Sequence, residues 1–463
     1  MHSLFVEVKN ASFCTASYNL ATVALQFLCI SNLDFEVYKE MLGASLENEE
    51  PMALRGGKRT WEDGIKTLLN AYPAALHGGN IPPSLYPRKI VAKRIPRGQF
   101  SKRSKPTTAI TYSSPEGKIC LDEVVEVIHL PQFDGKGVYE DAEAIELDSD
   151  VVSQLRNYVN AIASRYQNNP FHSFDHACHV TMSVHKLLKR VVTPDLSQQD
   201  LAPAARDSNH PASCLHDFTH GINSDPLTLL AIIFSALIHD VDHRGVSNTQ
   251  LGKEEPEMGR YYKHKSIAEQ NSLDLAWDLL MSTKFDALRD CLFGGIPAGL
   301  LRFRQMVVNI VLATDIFDKE LNDLRKARWN KAFSGAADEK DNDDLQATIV
   351  LEHIIQASDV SHTMQHWHVY LKWNRRLFQE MSLAYRAGRM AIDPADFWYE
   401  GELQFFDNYV LPLGKKLQEC QVFGVSSDEY LNYAVSNRNE WEEKGRGVIK
   451  EMLGTVHLEV KNP

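Results

Sequence analysis

Three stretches of this 463-residue chain carry side chains able to hold a divalent ion. "NPFHSFDHACHV" has His172, His176 and His179; "ALIHDVDHRGVSN" has His239, Asp240 and His243; "ASDVSH" has Asp359. A mixture of imidazole and carboxylate suits a zinc-like ion, and a site of oxygen ligands and water suits magnesium. No one stretch supplies a full ligand set, so several elements must deliver them together. A further stretch, "LHDFTHG", repeats the His-Asp-x-x-His offset with His216, Asp217 and His220.

What precedes the two copies tells them apart. "LIHDVDHRG" closes the apolar run "PLTLLAIIFSALIHD", so His239 and Asp240 ride on a buried, rigid helix, where a preorganised site belongs. "LHDFTHG" follows a Pro-, Ala- and Ser-rich loop and reads as loop polar residues. Ser224-Asp225-Pro226 offers a capping side chain and then a proline near the first helical position, which sets a helix from about Leu227 to Asp240. Asp359 likewise follows a buried stripe of Ile349, Val350, Ile354 and Ile355, and a carboxylate delivered by a core helix needs a partner. His172 and His176 are four apart and share a face if that segment is helical. His179 lies three beyond His176, so spacing alone does not choose among the three.

The elements that must position these groups are helices. "VVSQLRNYVNAIASRY", "LRFRQMVVNIVLAT" and "LQATIVLEHIIQASD" repeat apolar residues at i, i+3, i+4 and i+7 with little strand alternation, which gives an all-α fold. "VTPDLSQQDLAPAARDSNHPASC" and "FSGAADEKDNDDL" have the composition of surface loops.

The ordered set "NPFHSFDHACHV", "ALIHDVDHRGVSN", "SIAEQNS", "LATDIF" and "ASDVSH" resembles the class I 3',5'-cyclic nucleotide phosphodiesterases, within the HD-type metal-dependent phosphohydrolases, over residues 121–455. The resemblance implies an all-α, multi-helix catalytic domain with a deep pocket for two divalent metals, zinc at the tighter site and magnesium or manganese at the second. It makes His176, His239, Asp240 and Asp359 the ligands of the first metal, with Asp240 bridging to the second. Two such metals lower the pKa of a shared water and neutralise phosphoryl charge. His172 corresponds to the general acid that protonates the leaving 3'-oxygen, a task suited to an imidazole. Glu269 and His243 match positions that orient ligands or water by hydrogen bonds.

In "WYEGELQFFDNYVLPL" the resemblance places Phe405 as the residue stacking on the base, with Leu377 on the opposite wall. Two departures stand out. Phe171-His172-Ser173 replaces the family's common Tyr-His-Asn, removing a phenol hydroxyl and an amide beside the acid. Glu402 stands where the family has its purine-binding glutamine, and an ionised carboxylate only accepts hydrogen bonds. Guanine offers N1–H and N2–H to such an acceptor, whereas adenine sets N6–H beside an N1 lone pair, so the exchange leans towards cyclic GMP. Gln404 takes the role instead after a small register change.

The implied reaction is hydrolysis of cyclic AMP or cyclic GMP to the 5'-monophosphate. A related phosphohydrolase acting on polyphosphate nucleotides would want clustered basic residues around the site. An inactive nucleotide sensor would lack a ligand or the acid, and all five positions are present.

A formal charge of −12 argues against a nucleic-acid partner. Seven cysteines, odd in number and without a CxxC pair, point to the reducing cytoplasm. Residues 1–120 form a separate N-terminal region. Within it, the uncharged run Ala11 to Leu33 sets Leu20, Val23, Phe27 and Leu28 at helical spacing, as an amphipathic or packed helix or else a membrane or targeting segment. Residues 88–105 hold eight basic and no acidic residues and read as a solvated linker, with a contact to acidic lipid headgroups or a kinase site at Ser104 as sharper alternatives. No feature here sets the oligomeric state.

Overall fold

Apolar residues at helical spacing become helices throughout, and no strand element occurs among the described residues. The computed structural model describes residues 119–131, 147–191, 218–222, 225–294, 297–333, 339–423 and 428–461. The Ala11 to Leu33 run, the basic run with Ser104 and the first of the two polar stretches lie outside the described residues.

In chain order the helices are α1 (Ser149–Ala163), α2 (Phe174–Leu188), α3 (Pro226–Ile238), α4 (Asn248–Glu254), α5 (Pro256–Tyr261), α6 (Ile267–Leu280) and α7 (Asp286–Phe293). They continue with α8 (Pro297–Leu312), α9 (Lys319–Phe333), α10 (Glu339–Asp359), α11 (Trp367–Arg386), α12 (Pro394–Phe405), α13 (Leu411–Glu419) and α14 (Glu429–Lys461). α3 is the hub, packed between α2 and α8, and α10 lies against α2. Ile232, Ala236 and Ile238 of α3 and Ile349, Val350, Ile354 and Ile355 of α10 are buried. Each buried branched side chain contributes about 1.5–3 kcal/mol from apolar area removed from water, so these helices are held rigidly where their C-terminal ends meet.

Three sequence expectations are corrected. α3 stops at Ile238, leaving His239 at its C-cap and Asp240 in the turn beyond. Asp225 does occupy the N-cap, but its carboxylate accepts from the Thr228 hydroxyl and from Arg302 Nη2 at 3.1 Å rather than from backbone; a charged donor outcompetes a peptide N–H. "FSGAADEKDNDDL" is not loop throughout: from Glu339 it forms the start of α10.

Between α12 and α13 one π turn, Phe406–Val410, interrupts the α-helical ladder. Pro412, at the start of α13, lacks the N–H that an α-helical ladder would need there, and the wider turn absorbs the loss.

Cys120, Cys291 and Cys420 are in no disulfide among the described residues. Among the described residues no helix is long and apolar enough to cross a membrane.

Candidate active site

Four ligand-type side chains converge where α2, α3 and α10 meet. His176 sits in the first turn of α2, His239 at the end of α3, Asp240 one residue on, and Asp359 is the last residue of α10. His176 Nε2 is 3.0 Å from Asp359 Oδ1 and 3.7 Å from Asp240 Oδ2; His239 Nε2 is 3.2 Å from Asp240 Oδ2 and 3.4 Å from Asp359 Oδ1. The tautomer of His239 follows from its other nitrogen, which lies 2.9 Å from the Ala236 carbonyl. A carbonyl only accepts, so Nδ1 carries the proton and Nε2 turns a lone pair towards two carboxylates.

That arrangement demands a positive charge. Burial opposes charging His239, but Asp240 and Asp359 overcome it and hold its pKa well above the ordinary value. Asp240 and Asp359 are themselves buried, which raises a carboxyl, yet His239 beside Asp240, and His176 and His239 beside Asp359, keep both well below the ordinary carboxylate range. His239 Nε2 is buried without a hydrogen bond of its own, as a metal-directed nitrogen would be. A divalent ion satisfies the lone pairs and both carboxylates at once, so the donor set fits the implied group. The imidazoles are sealed at 0 and 1% exposure, while Asp240 and Asp359 keep 14 and 22%, so an ion held here remains reachable by a ligand.

His172 is not on the helix of His176. α2 begins at Phe174, and His172 lies in the turn before it, so the shared-face expectation fails. Glu380, from α11, holds it there: Nδ1 donates to Oε1 at 2.5 Å, and the backbone N–H groups of Phe171 and His172 donate to Oε2 at 2.9 and 3.0 Å. Burial lowers the His172 pKa, but Glu380 and then Asp240 more than reverse this, raising it to about 9. The partner effect pushes Glu380 down to about 2 against its own burial. His243 stacks on His172 with ring centroids 3.8 Å apart, and its own pKa drops to about 4 through burial and the His172 charge. Of the two stacked imidazoles only His172 is bonded to the carboxylate, while His243 Nδ1 accepts the Gly245 N–H. His172, His243 and Glu380 are near enough to hold an ion, but stacking turns ring faces rather than lone pairs together, and the short His172–Glu380 bond already occupies the carboxylate.

The scaffold around His172 is tight. Asn169 Nδ2 donates to the carbonyls of His172 and His243. Gly245 has φ +66°, and a Cβ there would meet Asn169 Oδ1 and Glu380 Oε1 at 3.4 Å. The missing phenol at Phe171 leaves an apolar ring packed on His176, centroids 4.6 Å apart, and on Trp373. Ser173 spends its hydroxyl on the Phe171 carbonyl.

The other candidates separate cleanly. His179 is buried, stacks on Trp373 and approaches Gln365, and burial takes its pKa down to about 3; it does not join the cluster with His176, His239 and Asp240. His216 and Asp217 lie outside the described residues, and His220 pairs with Asp343 at 3.2 Å. Glu269 accepts from Asn248 Nδ2, which also reaches Asp315; Ser266 Oγ donates to Asp315. Burial and then the Asp315 charge raise Glu269 to about 8, so this acid pair, within the influence of Asp240, favours either a shared proton or a nearby cation.

On the α11–α12 side, Leu377 packs against Phe171, Val369 and Trp373. Glu402, Phe405 and Tyr409 recur at helical spacing along α12 and the π turn. Phe405 stacks on Tyr409, centroids 5.4 Å apart, and Tyr409 is close enough to Asp359 that, after burial, this carboxylate raises its phenol. Glu402 is buried at 9% exposure, whereas Gln404 is exposed. Tyr370 donates to Glu402 Oε2 at 2.7 Å, Asn374 Nδ2 donates to Tyr370 Oη, and Trp398 Nε1–H donates to Asn374 Oδ1.

Sequence reasoning missed Glu380, Asp315, Asn248, Asn169, Tyr370 and Asn374. For Asp315 the signal was present, an acid ending an apolar helix in "LATDIF", the same signature that found Asp359. Glu380 had only its position one turn beyond Leu377. An apolar cavity lined by Leu155, Tyr158, Leu230, Phe234 and Leu292 shares no residue with the ligand cluster and offers no charged lining group.

Residues 171–421 match the family described as 3'5'-cyclic nucleotide phosphodiesterase. Among curated relatives, the chain is 30% identical over 233 residues to a probable 3',5'-cyclic-AMP phosphodiesterase, pde-4, of Caenorhabditis elegans, covering 49% of this chain and 30% of that protein. It is 22% identical over 326 residues to the cGMP-specific 3',5'-cGMP phosphodiesterase 3 of Dictyostelium discoideum, covering 68% of this chain and 59% of that protein. The chain thus spans less than two thirds of either relative. Among solved structures, the phosphodiesterase domain of Salpingoeca rosetta rhodopsin phosphodiesterase matches with a TM-score of 0.48 at 18% identity, covering 65% of this chain and 83% of that one.

Proposed function

The chain belongs to the 3'5'-cyclic nucleotide phosphodiesterase family, and from that premise we propose that it hydrolyses cyclic AMP, cyclic GMP or both to the 5'-monophosphate. The observation that carries this reading is the pairing of a metal-type ligand set with a separate imidazole, His172, tied through Nδ1 to Glu380. His176, His239, Asp240 and Asp359 would hold a first, zinc-like ion, and Asp240 would contribute to holding a second, magnesium or manganese. Such ions supply Lewis acidity towards phosphoryl oxygens and a nucleophile at neutral pH.

His172 carries the other half of the reaction. Its Nδ1–H is committed to Glu380, which leaves the Nε2 proton to pass to the departing 3'-oxygen. Glu380 keeps that proton in place at neutral pH and fixes the ring direction. His243, held neutral by burial and then by the charge on His172, accepts the Gly245 N–H through Nδ1 and stacks on His172 without carrying an acidic second proton. Leu377 and Phe405 supply the apolar faces between which a purine would lie, with Glu402 at its edge. Residues 121–455 are the proposed catalytic domain and residues 1–120 a separate region. The unpaired cysteines favour the cytoplasm as its compartment.

The test is turnover of cyclic AMP and cyclic GMP side by side, with magnesium and zinc present, and identification of the product by phosphorus NMR. Appearance of 5'-monophosphate that ceases on chelation is the expected result. Metal-loaded protein that turns over neither nucleotide would refute the reading.

A further inference from the structure

The line of donors ending on Glu402 has a fixed direction. Trp398 Nε1 can only donate, so it fixes Asn374 Oδ1 as the acceptor and turns the Asn374 amide nitrogen to Tyr370 Oη; the phenol proton then goes to Glu402 Oε2. Oε2 therefore always accepts, whichever protonation state Glu402 adopts. Resting on the base-binding role assigned above, we propose that Glu402 meets the purine edge through Oε1 alone, as an acceptor when ionised and as an O–H donor when neutral, so that its proton decides between guanine and adenine. Tyr370 and Asn374 are the positioning residues of this reader.

The chemistry follows from the two edges. An ionised Oε1 accepts N1–H and N2–H of guanine and faces the repelling N1 lone pair of adenine. A protonated Oε1 donates to adenine N1, and the repulsion becomes a hydrogen bond; guanine O6 accepts the same proton, so adenine gains more from protonation than guanine. A glutamine at this position would carry both functions at all pH values, whereas Glu402 carries one at a time.

The surroundings of Glu402 allow the switch in the neutral range. Burial pushes its carboxyl up, and the Tyr370 hydrogen bond, with the Asn374 amide behind it, pulls it partly back, to about 7. From α11 it faces those two groups, and from its own helix Trp398. The charges of α14, packed on the same helix, are engaged outside: Arg438 with Asp407 and Glu442, and Arg446 with Glu400. On the π turn the ionised Asp407 is exposed and tied to Arg438.

The experiment is the ratio of kcat/KM for cyclic GMP to that for cyclic AMP from about pH 6 to about pH 8.5, where neither base titrates and the shared dependence on His172 cancels. Binding of the products GMP and AMP to the same protein, by calorimetry, gives the ratio without turnover. Both ratios should rise about tenfold with pH, following the ionised fraction of Glu402. Glu402→Gln should flatten the curve, and Tyr370→Phe, which removes a bond to the anion, should move its midpoint to higher pH. A flat wild-type ratio, or a slope surviving in Glu402→Gln, would overturn the inference. A flat ratio that nevertheless changes level in Glu402→Gln would leave Glu402 as a base contact without the switch. If neither cyclic nucleotide is hydrolysed, the reaction reading falls separately, and GMP-against-AMP binding still decides: a pH-dependent ratio supports the switch, and a flat ratio or no binding overturns it.

Discussion

At the metal end, four groups arrive from α2, the end of α3 and the end of α10, and every one is placed by a buried helix that is rigid before any ligand comes. At the base end, Glu402 depends on a line of three hydrogen bonds reaching across α11 and α12. On the proposed reading, convergent charge at the first end would decide whether phosphate chemistry can occur at all, a large, non-directional electrostatic demand that tolerates no loss of a member. On the same reading, hydrogen-bond direction at the second end would decide only which purine is accepted, a difference of affinities in which each contact is worth little on its own. Reaction and selectivity are therefore separable by mutation.

The largest effect expected is at the metal end. Asp359→Ala leaves His176 and His239 without the carboxylate both approach, and metal content and turnover should fall together, turnover by more than about 1,000-fold. His172→Ala should break the account differently: metal content stays normal by mass spectrometry while kcat falls about 100- to 10,000-fold, the range for a lost general acid. Full activity in that variant would remove His172 from the mechanism.

Glu380→Gln sharpens the same region. His172, as a raised acid, donates its proton below its pKa of about 9 and loses that capacity as pH rises through it. Removing the Glu380 charge lowers that pKa, so the alkaline limb of the pH–rate profile should move to lower pH and kcat should drop about 10- to 100-fold. An unmoved limb would show that Glu380 does not set the acid. Gly245→Ala places a Cβ at φ +66° against Glu380 and Asn169 and should cost about 1–2 kcal/mol in denaturant unfolding. At the base end Glu402→Gln should leave metal content and kcat nearly intact and change the cyclic GMP to cyclic AMP ratio about tenfold or less, measured at one neutral pH.

The same contrast governs what the sequence made legible. His239, Asp240 and Asp359 end long apolar runs, and a polar group on such a run is conspicuous because burial must be compensated. The all-helical architecture was readable for the same reason, from periodicity in the α1, α3, α8 and α10 segments. His172, by contrast, was expected on the helix of His176, yet it sits before Ser173, whose φ of −125° breaks the helical run; local spacing could not show that the ring is held from α11, some 208 residues away. Asp315 ends an apolar run as Asp359 does and was legible in the same way, whereas Glu380 acts through contacts far apart in sequence and had only its place one turn beyond Leu377 to mark it. The start of α10 was read as loop because its Ser, Gly, Asp and Asn content is that of a turn-rich segment, and composition does not locate where a helix begins within it. At the base end, Glu402 was visible only through its place in a motif, and the direction of the line behind it exists only in three dimensions.

The measurement that bears most directly on the central claim is a metal titration of the chelated protein, following bound metal and cyclic nucleotide hydrolysis together in the wild type and in Asp359→Ala. Activity that vanishes on chelation, returns in step with metal occupancy in the wild type and fails to return in Asp359→Ala is the predicted result. Hydrolysis that survives chelation, or that returns in Asp359→Ala at wild-type metal concentration, would contradict the account.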